Sequence, residues 1–252
     1  MSNKRAVFYV VSRDSYIAEV KISAASVKEH LGLETILCTV VPTKSHPSID
    51  RVIMLPKRKH DLWYLDRVEY MGIIAEQLKD YDQLLCLDSD TYVCRPCIDM
   101  FRLLEYYDIA LGHAAGRDVT ISALKVPPSW TTLGMGVLLF RNDDKVRAFF
   151  GDWLDIYKKY KHIYHDTDEA PLRDVMYENT RDMRLVVLPP EYHMRFGFGC
   201  WMFGWVRILH GRVKTPLEEI AKRINAENGM RVWKGGRLMW YWRSGKGDVY
   251  PK

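Results

Sequence analysis

Residues 84–93, Leu84-Leu85-Cys86-Leu87-Asp88-Ser89-Asp90-Thr91-Tyr92-Val93, decide the reading of this chain. The short apolar run reads as a buried strand. It stops at two aspartates one residue apart. In an open α/β sheet, ligands bind outside the carboxyl ends of the strands. Two carboxylates placed there repel one another and lose hydration, so burying them unpaired is costly. A divalent cation offsets both costs. Oxygen ligands suit Mg²⁺ or Mn²⁺, and a diphosphate can supply the remaining coordination. The stretch therefore reads as a metal–diphosphate site at a strand end. An Asp-x-Asp taken alone is equally a solvated loop or a helix cap. Its flanks sharpen the reading, because an amphipathic helix pattern and then Asp82-Gln83 lead into the strand.

Working outward, residues 61–80 predict that helix. Leu62, Leu65, Val68, Met71, Ala75 and Leu78 recur at three-to-four spacing, and Arg67 lies among them. Residues 6–12, AVFYVVS, predict the first strand. A helix over 16–31 follows, with Asp14 or Ser15 as its cap and Gly32 as its stop. Residues 34–41 and 50–55 predict two more strands, closed by Pro42 and Pro56. The run Lys57-Arg58-Lys59-His60 reads as a solvated loop or as a contact for phosphate.

Downstream, residues 99–107 predict a short helix and 108–113 a strand. Residues 116–130, with Pro127-Pro128, read as an acceptor-side loop. Residues 133–140 predict a strand whose glycines, Gly134 and Gly136, let backbone approach a ligand closely. Residues 144–160 form an amphipathic helix pattern. Asp168 stands where it would cap a helix over 171–178. Residues 184–188 predict a strand. The Gly- and aromatic-rich stretch 191–205 reads as packing at a sheet edge, or else as a sugar-stacking surface. A strand ending in His210-Gly211 and a last helix over 216–228 complete the pattern. Strands alternating with helices imply an α/β domain with a mainly parallel twisted sheet and helices on both faces. No G-x-G-x-x-G follows the first strand, so the dinucleotide fingerprint is missing.

The 252 residues suffice for one large domain with its own core. A net charge of +5 suits an anionic ligand and does not demand nucleic acid. Five cysteines, an odd number, argue against a disulfide framework, and Cys94-x-x-Cys97 has no second pair to complete a zinc site. The N-terminal Met-Ser-Asn-Lys-Arg runs into a strand without a long apolar segment, which points to the cytoplasm. Residues 231–252 carry six Lys/Arg, three Trp and two Tyr against one acidic residue. Such a tail fits peripheral contact with an anionic membrane face or packing back on the domain.

These segments, in this order, resemble the nucleotide-sugar glycosyltransferases of GT-A fold, especially the family 8 and glycogenin-like enzymes. The resemblance spans roughly residues 6–216. It implies that Asp88 and Asp90 hold Mn²⁺ (or Mg²⁺), with His210 as third ligand. The His-Gly-x-x-Lys run resembles a shortened form of that family's C-terminal motif. By that likeness Gly211 and Lys214 meet the donor diphosphate, with Arg212 the alternative to Lys214 at this spacing. The stretch V-S-R-D-S-Y resembles the family's first turn, which implies that Val11, Ser12 and Tyr16 meet the base. Arg13 stands where the family often has Asn. Ser89 would lie beside the ribose, and Arg67 would reach phosphate or sugar. The D-E-x-x-L at 168–172 resembles D-Q-x-x-L, which implies a sugar-binding Asp168 and puts Glu169 on the reactive face. Gly134 stands where the family has Asn.

The resemblance thus implies transfer of a sugar from a nucleotide-diphosphate donor, UDP-linked by likeness, to a glycan, lipid-linked or protein acceptor, with retention. Residues 1–215 would form the catalytic domain, and 216–252 a helix and basic aromatic tail packed on it. A sugar-1-phosphate nucleotidyltransferase would share the fold class but needs a Gly-rich, Arg-containing phosphate loop after the first strand, which is missing. A non-catalytic binding module would not need Asp88, Asp90 and His210 to converge.

Overall fold

The computed structural model describes residues 3–114, 121–212, 214–234 and 237–240. Its centre is a seven-stranded sheet of order β3-β2-β1-β4-β7-β6-β8. These strands are β1 (Arg5–Val11), β2 (Glu34–Thr39), β3 (Arg51–Met54), β4 (Gln83–Leu87), β6 (Ile109–His113), β7 (Leu133–Arg141) and β8 (Leu185–Leu188). The short β5 (Thr91–Val93) lies outside this sheet. All neighbouring pairs are parallel except β4–β7 and β6–β7, so β7 alone runs against the rest. The chain lays down β1, β2 and β3 outward in one direction. It then returns to place β4 on the other side of β1. That reversal opens a crevice beyond the carboxyl ends of β1 and β4.

Near-continuous apolar strands are what a sheet covered on both faces requires. Every residue of β4 is buried, as are the first eight of β7. Successive residues serve opposite cores. Val7, Tyr9, Leu85, Leu87, Val137 and Leu139 meet α1 (Asp14–Leu31) and a 3-10 segment at Ile98–Glu105. Phe8, Leu84, Cys86, Leu138 and Phe140 meet α2 (Trp63–Gln77) and α3 (Asp144–Lys159). Phe140 lies edge-on to both Phe8 and Phe150, with centroids 6.1 and 5.1 Å away. Each such side chain contributes about 1.5–3 kcal/mol by leaving water. Behind α3 follow α4 (Lys161–Tyr164) and α5 (Glu169–Glu178).

A second, small sheet joins β5 to β11 (Ile208–His210) and β11 to β9 (Met194–Arg195). A third contains β10 (Cys200–Met202), β12 (Arg231–Lys234) and β13 (Arg237–Trp240). Met194, Phe196, Cys200, Met202, Leu209 and Trp233 share a third apolar cluster with Ile220 and Ile224 of α6 (Leu217–Ile224).

Several expectations shift. The short helix expected at 99–107 is present at Ile98–Glu105 and is of 3-10 type. Helix α1 begins at Asp14 without a side-chain cap, though Gly32 does close it in the left-handed region at φ 63°. The last helix ends at Ile224, four residues short of the predicted end. The stretch 191–205 divides: Phe196, Cys200 and Met202 are core, whereas Trp201 and Phe203 are exposed. All five cysteines are free. Residues 241–252 of the basic tail and 115–120, which include the start of the acceptor-side loop, lie outside the described residues. Among the described residues, no helix is long and apolar enough to cross a membrane.

Candidate functional site

The crevice at the β1–β4 switch encloses about 290 Å³. Its floor is the turn Asp88-Ser89-Asp90 between β4 and β5, and this turn is held from several sides. Asp88 N–H donates to the Gly136 carbonyl of β7 at 3.1 Å. Thr91 Oγ1 donates to the Asp88 carbonyl at 2.8 Å, and Thr91 continues a buried hydroxyl chain through Ser23 to Tyr9. Gly211 N–H donates to the Asp90 carbonyl at 3.0 Å. The antiparallel register of β11 on β5 sets His210 opposite Thr91. Its Nε2 then lies 3.3 Å from Asp88 Oδ2 and 3.5 Å from Asp90 Oδ1. One ligand atom from each of Asp88, Asp90 and His210 falls within 4.8 Å of the others. Two carboxylates and an imidazole at that spacing fit a divalent ion of the Mn²⁺ type.

A second cluster, His60, Asp66 and Glu69, has comparable spacing but is internally satisfied. Asp66 accepts from Arg58 Nε and from the Lys59 and His60 N–H groups, and Glu69 pairs with Lys59 and His60.

Arg67 stands at the electrostatic centre. It projects from α2, is 6% exposed, and bridges two acids. Its Nη2 donates to Asp88 Oδ1 at 2.5 Å and its Nη1 to Asp168 Oδ2 at 3.0 Å. Asp168 occupies the capping position of α5 but caps nothing; its carboxylate turns to Arg67 instead. Burial would raise the pKa of Asp88, yet Arg67 and His210 hold it well below the usual carboxylate range. Burial pushes Asp168 up to about 7, against the pull of Arg67 and with Glu169 and Asp88 adding to the rise. For His210, burial favours the neutral ring, but Asp88 and Asp90 outweigh it and raise its pKa. Carboxylates and guanidiniums line the crevice in equal number, with Asp88 and Asp90 gathered on His210 at its floor and Arg67, Arg195 and Arg212 around them.

Buried Glu169 faces Arg195, with Oε1 to Nη1 at 3.6 Å. At the mouth, Arg212 forms a bidentate pair with Glu19 at 2.7 and 2.9 Å. The same guanidinium reaches Ser89 Oγ at 3.1 Å and Asp90 Oδ2 at 3.3 Å, and it covers the Tyr16 ring with 4.8 Å to the centroid.

The fold brings Val11, Ser12, Tyr16, Arg67, Asp88, Ser89, Asp90, Asp168, Glu169 and His210 to this one crevice. Two predicted residues do not line it. Gly211 sits behind the aspartate turn, at φ 142°, where a Cβ would lie 3.2 Å from the Phe196 ring. Lys214 is exposed and does not line the crevice. Arg212 takes the basic position instead, as the compressed spacing allowed. Sequence reasoning missed Glu19, Arg195 and His193. The first two carry no local signal. His193 is buried against His210, and the nearest signal for it is the pair of glycines on β7.

No protein-family model matches this chain, and no curated protein sequence matches it. Among solved structures it is similar to the glycosyltransferase GlyE of Streptococcus pneumoniae TIGR4, at 17% identity and a TM-score of 0.60. The match covers 90% of this chain and 61% of that one, so the chain spans less than two thirds of that protein. The mostly parallel α/β architecture is therefore a GT-A-like glycosyltransferase fold.

Proposed function

We propose that this chain is a metal-dependent glycosyltransferase of the family 8, glycogenin-like type, moving a hexose from a UDP-sugar to an acceptor hydroxyl with retention. One observation carries the reading: Asp88 and Asp90, from the turn that follows β4, and His210, from β11, converge within 4.8 Å at the sheet's switch point. Asp88, Asp90 and His210 would hold Mn²⁺ or Mg²⁺. Bound there, the ion would stabilise the charge that develops on a leaving diphosphate.

The chain's own groups divide the remaining work. Val11 and Ser12 offer backbone to the base, and Tyr16 offers its ring, already covered by Arg212. Ser89 lies beside the ribose. Arg212, held by Glu19, presents its guanidinium to the diphosphate, the role first assigned to Lys214. Arg67 fixes Asp88 and Asp168 relative to one another, and Asp168 accepts from sugar hydroxyls. Glu169 faces the anomeric carbon, and Arg195 pairs with it at 3.6 Å. The acceptor is a glycan, a lipid-linked sugar or a protein, and nucleic acid is no partner. Five free thiols support a reducing cytoplasmic setting; the start of the basic tail packs back on the domain as β12 and β13, so any contact with an anionic membrane face would fall to residues 241–252.

The test is calorimetric titration of UDP and of GDP, with and without Mn²⁺, on the wild type and on Asp90→Ala. Metal-dependent UDP binding that disappears in Asp90→Ala is the expected result. Nucleotide binding that ignores both the metal and the substitution would overturn the proposal.

A further inference from the structure

We propose that His193 is a positioning residue of the metal site: it holds the His210 ring so that Nε2 faces Asp88 and Asp90. The inference rests on the metal-dependent reading above and goes beyond it, because it concerns a residue outside the ligand set.

The geometry is specific. His193 Nε2 lies 2.8 Å from His210 Nδ1. The ring planes lie within 23° of one another, with centroids 5.0 Å apart. Both residues are buried, at 3% and 6% exposure. A histidine that binds a cation through Nε2 carries its proton on Nδ1, and a partner that accepts this proton fixes both tautomer and ring orientation. When His210 serves as ligand, His193 Nε2 is that acceptor. His193 cannot replace His210 as ligand, since its other nitrogen points into β6. A Cβ built at Gly112 would lie 2.0 Å from His193 Nδ1.

The sheet is shaped around this pair. A Cβ at Gly134 would lie 2.7 Å from His193 Cε1, and one at Gly136 only 2.2 Å from His210 Cε1. The β6–β7 register shifts between Leu111 and Gly112, at the place where His193 enters. Three glycines on two adjacent strands thus make room for two imidazoles. An apolar side chain would fill the same room but could not accept a proton. Parallel pairing of Leu209 with Met194 and of His210 with Arg195 lays β9, which His193 immediately precedes, beside β11.

Mn²⁺ titrations of the full chain test the assignment, by calorimetry and by electron spin-echo modulation of bound Mn²⁺. The comparison includes wild type, His193→Leu, His193→Gln and His193→Asn. Gln places a polar atom where Nε2 stood; Asn reaches only the Nδ1 position. Both are no larger than His and fit the same pocket. We expect Leu and Asn to weaken Mn²⁺ binding about 10–100-fold and to lose the ¹⁴N modulation of a coordinated imidazole. Gln should restore both. Wild-type-like affinity and modulation in Asn would overturn the proposal, even if Leu fails to fold. A wild type that takes up no Mn²⁺ would overturn the metal-dependent reading itself, which is a different result.

Discussion

Arg67 carries one positive charge between Asp88 and Asp168, each held by a separate arm of its guanidinium. Removing one partner of a buried ion pair leaves a desolvated charge behind, at about 3–5 kcal/mol. Arg67→Met should therefore destabilise the metal-free protein by about that much in urea unfolding. Arg67→Lys should recover only part of the loss, because a point charge cannot satisfy two carboxylates with fork geometry. Asp168 gives the pH dependence. Its folded pKa is raised to about 7, chiefly by burial, so the folded state holds its proton more tightly than the unfolded one. That contribution is fully present below about pH 4 and is lost as pH rises through about 7. Asp88 has the opposite sign. Its pKa is depressed, so its contribution is present above about pH 4 and is lost only in stronger acid. Asp168→Asn should remove the decline in unfolding free energy between about pH 4 and 7 and leave the acid limb in place. Unchanged slopes on both limbs would mean that Asp168 is ionised throughout.

At the level of elements, glycine has two different consequences. Gly72 in α2 and Gly151 in α3 have nothing within 4 Å of a built Cβ. Alanine at either should stabilise the fold by about 0.5–1 kcal/mol, read as a shift of the urea midpoint. Gly136 in β7 is the contrasting case. Alanine there would push into the His210 ring, so Gly136→Ala should weaken Mn²⁺ uptake and lower the unfolding midpoint together. The elements themselves were legible because burial on both faces leaves a plain mark: the apolar runs of β1, β4 and β7 need no partner to be recognised. The aspartate pair was legible for the same reason, since it ends such a run. His193 was not. It lies in a stretch whose Gly and aromatic residues look like packing, and only the pairing of β9 with β11 brings it to His210. The glycines of β7 were read as room for a ligand, and the side chains that fill that room come from 193 and 210. The choice between Lys214 and Arg212 was not legible either: the chain past His210 brings Arg212 to the crevice and leaves Lys214 off it.

At the scale of the molecule, ligand and fold should be linked. Anything that binds only the folded state adds RT ln(1 + [L]/Kd), about 2.7 kcal/mol at a hundredfold excess over Kd. Mn²⁺ with UDP should raise Tm by several degrees in a thermal scan, and a chelator should reverse the rise. No shift at saturating concentrations would leave the crevice without its proposed ligand. The reversed strand β7 has a further consequence, for the chain as it is made. Strand β4 pairs with β1 on one side and β7 on the other. Its last residue, Leu87, leaves the ribosome more than fifty positions before β7 is finished at Arg141. Until then a strand that is wholly buried in the finished sheet is an open edge, able to pair with any neighbouring nascent chain. The half-made molecule is consequently its most vulnerable form, and chaperone capture should concentrate on the interval in which residues 88–141 are being synthesised.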